Sequence, residues 1–274
     1  MNRLISSALL VSVLCLPSAV VAASASERPA PKPTQVFILA GQSNMAGAGR
    51  AKEVPADVAK AAREKVLVLR KGTWQPLRPW QRFGPEMTFG IAMAEARPGE
   101  RIGLIKVAAG GSSLNDWKPK AKSWSKRRPN FYTQLIDAVT ATRADTSAVI
   151  VGMLWMQGEA EARYNPKGYF EKLKEFITRV RKDTGCETLP FAFGRINPDE
   201  KKYKGVKAVR EAQERVAREI SNTAMVDCDG LAKRADNVHY DSKGQLELGK
   251  RFAAAMLKLV DEQGASRTTS RPAE

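Results

Sequence analysis

Short apolar runs alternate with longer amphipathic stretches along this chain from about Pro33 to Gly264. The runs "QVFILA", "KVLVLR", "RIGLIKVAA", "AVIVGMLWM", "LPFAFGRI" and "TAMVDC" are continuous enough to be strands buried on both faces. Between several of them the apolar positions follow a helical period. Tyr169, Leu173, Phe176, Ile177 and Val180 form one stripe, and Val209, Ala212, Val216 and Ile220 a second. Leu248, Phe252, Ala255, Met256 and Leu259 form a third, in the last long helix. Strands alternating with helices predict an α/β fold, a three-layer αβα sandwich around a mostly parallel sheet. No internal repeat interrupts the pattern, so one domain is expected over residues 35–264.

The two ends read differently. Residues 1–25 carry Arg3, then an apolar run, then small residues with "VVA" and "ASA" as cleavage sites. This is the pattern of a secretory signal peptide, and Pro17 and Ser18 interrupt the run before it could span a bilayer. A lipid anchor at Cys15 is not expected, because Leu14 stands where a small residue belongs. Residues 26–34 read as a Pro-rich spacer and 265–274 as a polar, frayed tail. No later segment is apolar enough to cross a membrane, so a secreted or periplasmic protein is expected. Export permits a disulfide, but Cys186 precedes one predicted strand and Cys228 ends the next. In a parallel sheet those positions fall at opposite edges, and two free thiols are expected.

The formal net charge of +16 over 274 residues adds a question about partners. It fits a solvated basic surface or an anionic partner such as an acidic glycan or the cell envelope. An exported chain without a recognisable nucleic-acid motif is not expected to bind nucleic acid.

Ligands of an open parallel sheet bind beyond the carboxyl ends of its strands. Four predicted strand ends carry unusual chemistry: "GQSNMAG", "GGSSLNDW", "QGEAEA" and "DGLAKRADNVHYDSKG". The first could be a plain strand-to-helix turn, a phosphate cradle or the seat of a nucleophile. It lacks the lysine of a phosphate-binding "GK[ST]" loop. His239 is the one histidine of the chain, too few for the usual catalytic metal set, and neither metal nor cofactor is expected. Asp236 lies three residues before it, a spacing that can return a carboxylate to one imidazole nitrogen. The other nitrogen could then activate Ser43, the hydroxyl in the glycine-bracketed turn. Donors for an oxyanion are available at Ser43 N–H, at Gly111 (or Gly110) N–H and in the amide of Gln157.

The blocks "GQSNMAG", "FGPEMTFG", "GLIKVAAGGSSLNDW", "WMQGEAEA" and "DNVHYDSKGQLELGKRFA" resemble, in this order, those of the SGNH hydrolase superfamily. The branch they resemble is the sialate O-acetylesterase-like group, including carbohydrate esterase family 6. The resemblance runs from Val36 to about Met256. It implies a flavodoxin-like sheet and hydrolysis of acetyl esters on sugars without a cofactor. It also implies Ser43 as nucleophile, His239 as base, and Gly111 and Gln157 as oxyanion donors. For the acid of the triad it leaves two residues, Asp236 and Glu159, of which Asp236 is favoured. Glu86 in "FGPE" is expected to be structural.

One loop departs from the family pattern. After "LNDW" comes "KPKAKSWSKRR", six cations around Trp124. It reads as a solvated loop or as a rim for an acidic, acetylated polysaccharide, with Trp117 or Trp124 stacking on sugars and Arg127 among the cations. Two other functions stay open: a non-catalytic glycan-binding protein on the same fold, and a serine hydrolase for non-sugar esters. The absence of a long apolar lid argues against lipids.

Overall fold

The computed structural model describes residues 32–269. The expected leader, most of the spacer and the end of the tail lie outside these. Within them the order is β1 (Gln35–Gly41), α1 (Ser43–Ala46), β2 (Gly49–Arg50), α2 (Ala56–Lys65), β3 (Val66–Arg70) and β4 (Thr73–Pro76). Then follow β5 (Arg82–Phe83), α3 (Glu86–Ala96), β6 (Ile102–Ala108), α4 (Phe131–Asp145), β7 (Val149–Met156) and α5 (Glu159–Tyr164). Last come α6 (Tyr169–Asp183), β8 (Phe191–Gly194), α7 (Val206–Glu219), β9 (Thr223–Val226) and α8 (Ser242–Thr269). The helix α8 thus continues into the stretch read as a tail.

Seven strands make one sheet in the order β4-β3-β6-β1-β7-β8-β9, and β2 pairs with β5 in a small antiparallel ribbon. Every pairing in the large sheet is parallel except β3 with β4. Helices α2, α3 and α8 cover one face, and α4, α6 and α7 the other. This is the three-layer fold that the alternating pattern predicts.

All six apolar runs became strands because each is covered on both faces. Val36 to Ala40 in β1 are wholly inaccessible, as are Met153 to Met156 in β7. Each large side chain so buried contributes about 1.5–3 kcal/mol. The α6 stripe is buried at all five positions. On α7, Val209 and Val216 are buried, while Ala212 and, just past the helix end, Ile220 pack against the core from its margin. Cys186 and Cys228 are both free thiols, and burial pushes that of Cys228 up to about 12.

The register of the central strands positions the site. Gly41 at the end of β1 pairs with Ala108 of β6 on one side and Met156 of β7 on the other. Three strands therefore end level, and their following turns emerge side by side.

Candidate active site

The first turn forms by a close approach of backbones. Gly41 has φ +140°, and a Cβ added there would fall 2.1 Å from the carbonyl oxygen of Met156. Only glycine fits, and the chain can then turn sharply into α1. Gln42 N–H donates to Met156 O at 2.8 Å, and Ala109 N–H to Gly41 O at 3.0 Å, which fastens this turn to those after β7 and β6. Ser43 opens α1, so its N–H is among those a helix start leaves without an intrahelical partner.

The second part of the site is the loop between β9 and α8. Arg234 N–H donates to His239 O, and Asn237 N–H to Arg234 O, closing a compact turn. Asn237 takes φ 55°, a left-handed conformation that asparagine tolerates. Inside this turn Asp236 Oδ1 accepts the N–H groups of Val238 and His239, both at 2.9 Å. Its Oδ2 lies 2.8 Å from His239 Nδ1. Burial pushes the Asp236 carboxyl up, but bonds from the His239 N–H, the His239 ring and the Val238 N–H outweigh this and hold it down at about 2.

Asn44 joins the two parts. Its Nδ2 donates to Val238 O at 3.1 Å and to Glu159 Oε1 at 2.8 Å, and its Oδ1 accepts Tyr240 N–H at 3.1 Å. The residue after the candidate nucleophile thereby holds the backbone on both sides of the histidine.

Ser43 and His239 line one cleft of about 340 Å3, together with Gln42, Gly110, Gly111, Glu159 and Val238. All four turns singled out in the sequence contribute to it. Gly110 is close to the hydroxyl, since a Cβ added to it would stand 3.7 Å from Ser43 Cβ. Gly111 takes φ +77° in open space. The cleft also contains residues that the sequence reading missed. Arg163 and Tyr164 come from α5, and Tyr203 from the loop before α7. The Arg163 guanidinium sits 5.4 Å from the Tyr164 ring and 5.8 Å from that of Tyr203.

Of the two carboxylates considered for the triad, Asp236 meets the imidazole. Glu159 is only 2% exposed and turns Oε1 to Asn44, while its Oε2 has no hydrogen-bond partner among the described residues. Burial pushes its carboxyl up.

Gln157 does not join the cleft. Its side chain is fully buried, and its Nε2 donates to Ser112 O at 3.1 Å and to Glu161 Oε2. Both amide hydrogens are thus used, and Tyr169 donates to its Oε1 at 3.2 Å. An oxyanion would find no donor there. Gln42 stands in the cleft instead. Its Oε1 accepts the N–H groups of Gly158 and Ala160, each at 3.3 Å, and its Nε2 has no hydrogen-bond partner among the described residues.

Trp117 is likewise displaced from the expected sugar-stacking role. It is wholly buried, edge-on to Trp155 at 5.0 Å, and its Nε1 donates to Ser112 Oγ at 3.1 Å. Trp124 is 55% exposed and lines a neighbouring chamber with Arg128, which Arg127 does not reach. Glu86 is structural. It accepts Gly84 N–H and pairs with Lys106 at 2.6 Å, which also donates to Ala46 O at the end of α1. Among the described residues no group of three or more potential metal ligands comes together.

A family model described as carbohydrate esterase, sialic acid-specific acetylesterase, matches residues 33–258. The chain is similar to a protein of Arabidopsis thaliana described as a probable carbohydrate esterase. They share 27% identity over 252 residues, covering 82% of this chain and 91% of the other. The crystal structure of that plant protein superimposes with a TM-score of 0.72 at 25% identity, covering 83% of this chain and 99% of that one. The fold is also that of NanS, with a TM-score of 0.66 at 15% identity, covering 85% of this chain and 99% of that one. A carbohydrate acetylesterase from Xanthomonas citri gives 0.67 at 20% identity, with 83% of this chain on 56% of that one.

Proposed function

Because this chain belongs to the carbohydrate esterase family of sialic acid-specific acetylesterases, we propose that it removes O-acetyl groups from carbohydrates by a serine mechanism built on Ser43, His239 and Asp236. One observation carries the reading: Ser43 and His239 line the same cleft, and the ring nitrogen nearer the backbone is held 2.8 Å from Asp236.

With Nδ1 engaged by the carboxylate, Nε2 of the neutral imidazole is the base for the Ser43 hydroxyl. The serine oxygen attacks the acetyl carbonyl carbon, and its proton passes to His239. The carbonyl oxygen becomes an oxyanion, stabilised by the N–H groups of Ser43 and Gly111 and by the amide of Gln42 in the place first given to Gln157. The C–O bond to the sugar breaks, and the imidazolium returns its proton to the departing hydroxyl. Water, deprotonated by the same imidazole, then attacks the acetyl-enzyme and releases acetate. Asp236 stays ionised throughout and stabilises the imidazolium.

The leader-like residues 1–25 support action outside the cytoplasm, and no helix among the described residues is long and apolar enough to cross a membrane.

The test is turnover of 4-nitrophenyl acetate and acetylated xylo-oligosaccharides by the wild type and Ser43→Ala. The wild type should hydrolyse both, and the variant should lose about 1,000-fold or more while keeping its melting temperature. Equal rates would overturn the assignment of the nucleophile. Turnover of the small ester alone would favour a non-sugar substrate, and inactivity on both a glycan-binding role.

A further inference from the structure

The catalytic cleft continues past Gly110. That residue is also in the wall of a second chamber, of about 370 Å3, where Trp124, Arg128 and Phe131 face it. A third chamber of about 490 Å3 shares Lys106, Ala108 and Arg128 with the second. Further out its walls are Arg70, Arg78, Trp80 and Arg82. The three form a trough that starts at Ser43 and passes over the ends of β6 and β3.

Two properties distinguish this trough from an ordinary solvated surface. The first is aromatic. Four large apolar side chains are strongly exposed among the described residues, and three of them line it: Trp80 at 57%, Trp124 at 55% and Tyr164 at 77%. Exposed rings cost hydration free energy unless something covers them. The Arg70 guanidinium already lies 3.6 Å over the Trp80 ring.

The second is charge. Glu86 is the one carboxylate in the wall of the outer chamber, and Lys106 neutralises it at 2.6 Å. Arg70, Arg78, Arg82 and Arg128 gather in these walls, and none of them has a carboxylate partner among the described residues. Like charges spaced along a low-dielectric trough focus a positive field in it. Guanidinium forks match carboxylates in particular.

The geometry points to an extended binding site for an acetylated polysaccharide that carries carboxylates, of the uronic acid type. Trp124 and Trp80 stack on sugar rings and Arg128, Arg78 and Arg82 pair with carboxylates, while an acetylated unit occupies the cleft at Ser43. This rests on the acetylesterase reading for its chemistry, but the binding it claims does not need turnover.

The experiment has two arms on wild type, Trp80→Ala and the triple variant Arg78→Glu, Arg82→Glu, Arg128→Glu, each first checked for folding by melting temperature. One arm measures binding of non-acetylated polygalacturonate oligomers, with polyglutamate of equal charge as control. Wild type should bind the oligomers about tenfold or more tightly than polyglutamate, and more weakly as salt rises and screens the charges. The triple variant and Trp80→Ala should each lose most of that binding. Equal affinity of wild type for both polyanions, or unchanged binding in either variant, would overturn the proposal. The other arm compares kcat/KM on O-acetylated polygalacturonate and on neutral acetylxylan. The ratio should fall about tenfold or more in the triple variant, through KM. An unchanged ratio would overturn it. If the wild type turned over neither polymer nor 4-nitrophenyl acetate, the acetylesterase reading would fall and the binding arm would still decide the trough.

Discussion

His239 Nδ1 lies 2.8 Å from Asp236 Oδ2, and the other oxygen of the same carboxylate accepts the backbone N–H of that histidine. Ring and main chain are thus fixed by one side chain three residues away. Such a contact sets the tautomer as well as the orientation of the ring, leaving Nε2 free to accept a proton.

Asp236→Asn should therefore lower kcat by about 100- to 10,000-fold with little change in KM. Glu159→Gln keeps an oxygen for Asn44 and should cost less than about tenfold. Steady-state kinetics of the two variants on 4-nitrophenyl acetate decide between the acids. The reverse order would make Glu159 the functional partner of the base.

The same carboxyl makes stability depend on pH. Its pKa falls from 3.8 to about 2 in the folded chain, so between those values the unfolded chain binds more protons. Its contribution is fully present above about pH 4 and is lost as pH falls toward 2. The side chain is 43% exposed, so the effect should stay below about 1 kcal/mol. Thermal melts from pH 2 to 6 should show a gap between wild type and Asp236→Asn that closes at the acid end.

The two glutamines should differ in activity. Gln42→Ala removes a cleft donor and should lower kcat by about 100- to 1,000-fold, and because it also strips the buried Gly158 and Ala160 N–H groups of their acceptor it should cost about 1–3 kcal/mol of stability. Gln157→Ala strips partners from Glu161, Tyr169 and Ser112 in the core, and should cost about 2–4 kcal/mol in chemical denaturation.

The two tryptophans of the basic loop should differ in stability. Trp117→Ala leaves a cavity among Trp155, Phe131 and Phe176 and should cost about 3–5 kcal/mol. Trp124 holds Asp116 at 2.9 Å from a mostly exposed position, and its loss should cost about 1 kcal/mol or less. Denaturation curves for both variants check this.

The layered fold was legible because strands buried on two faces are written as unbroken apolar runs. The strand β4 was not, since only Trp74 of its four residues is buried. Its one signal was the Lys71-Gly72 turn, where both residues take positive φ, as tight hairpins require. Ser43, Asp236 and His239 were legible as candidates because the turn around Ser43 and the three-residue spacing from Asp236 to His239 are local in the sequence. The glutamines could not be told apart in one dimension. Gln42 and Gln157 each follow a strand and both are buried, and only their tertiary partners differ: Ser112 and Glu161 take the Gln157 amide hydrogens, while Gln42 lines the cleft. Trp117 and Trp124 share one loop, and burial depends on α6 and β7, which are distant in sequence.

The bond from Tyr240 N–H to Asn44 Oδ1 spans 196 positions, from the turn after the first strand to the loop before the last helix. Contacts of such separation close late, after the entropy of the intervening chain has been overcome. A growing or partly threaded chain would hold its hydroxyl for most of its synthesis with no base to activate it. On the proposed mechanism, hydrolytic competence would appear only when the final segment docks, so that ester turnover would report the completion of folding, and a chain cut short before His239 would be silent whatever else it had built.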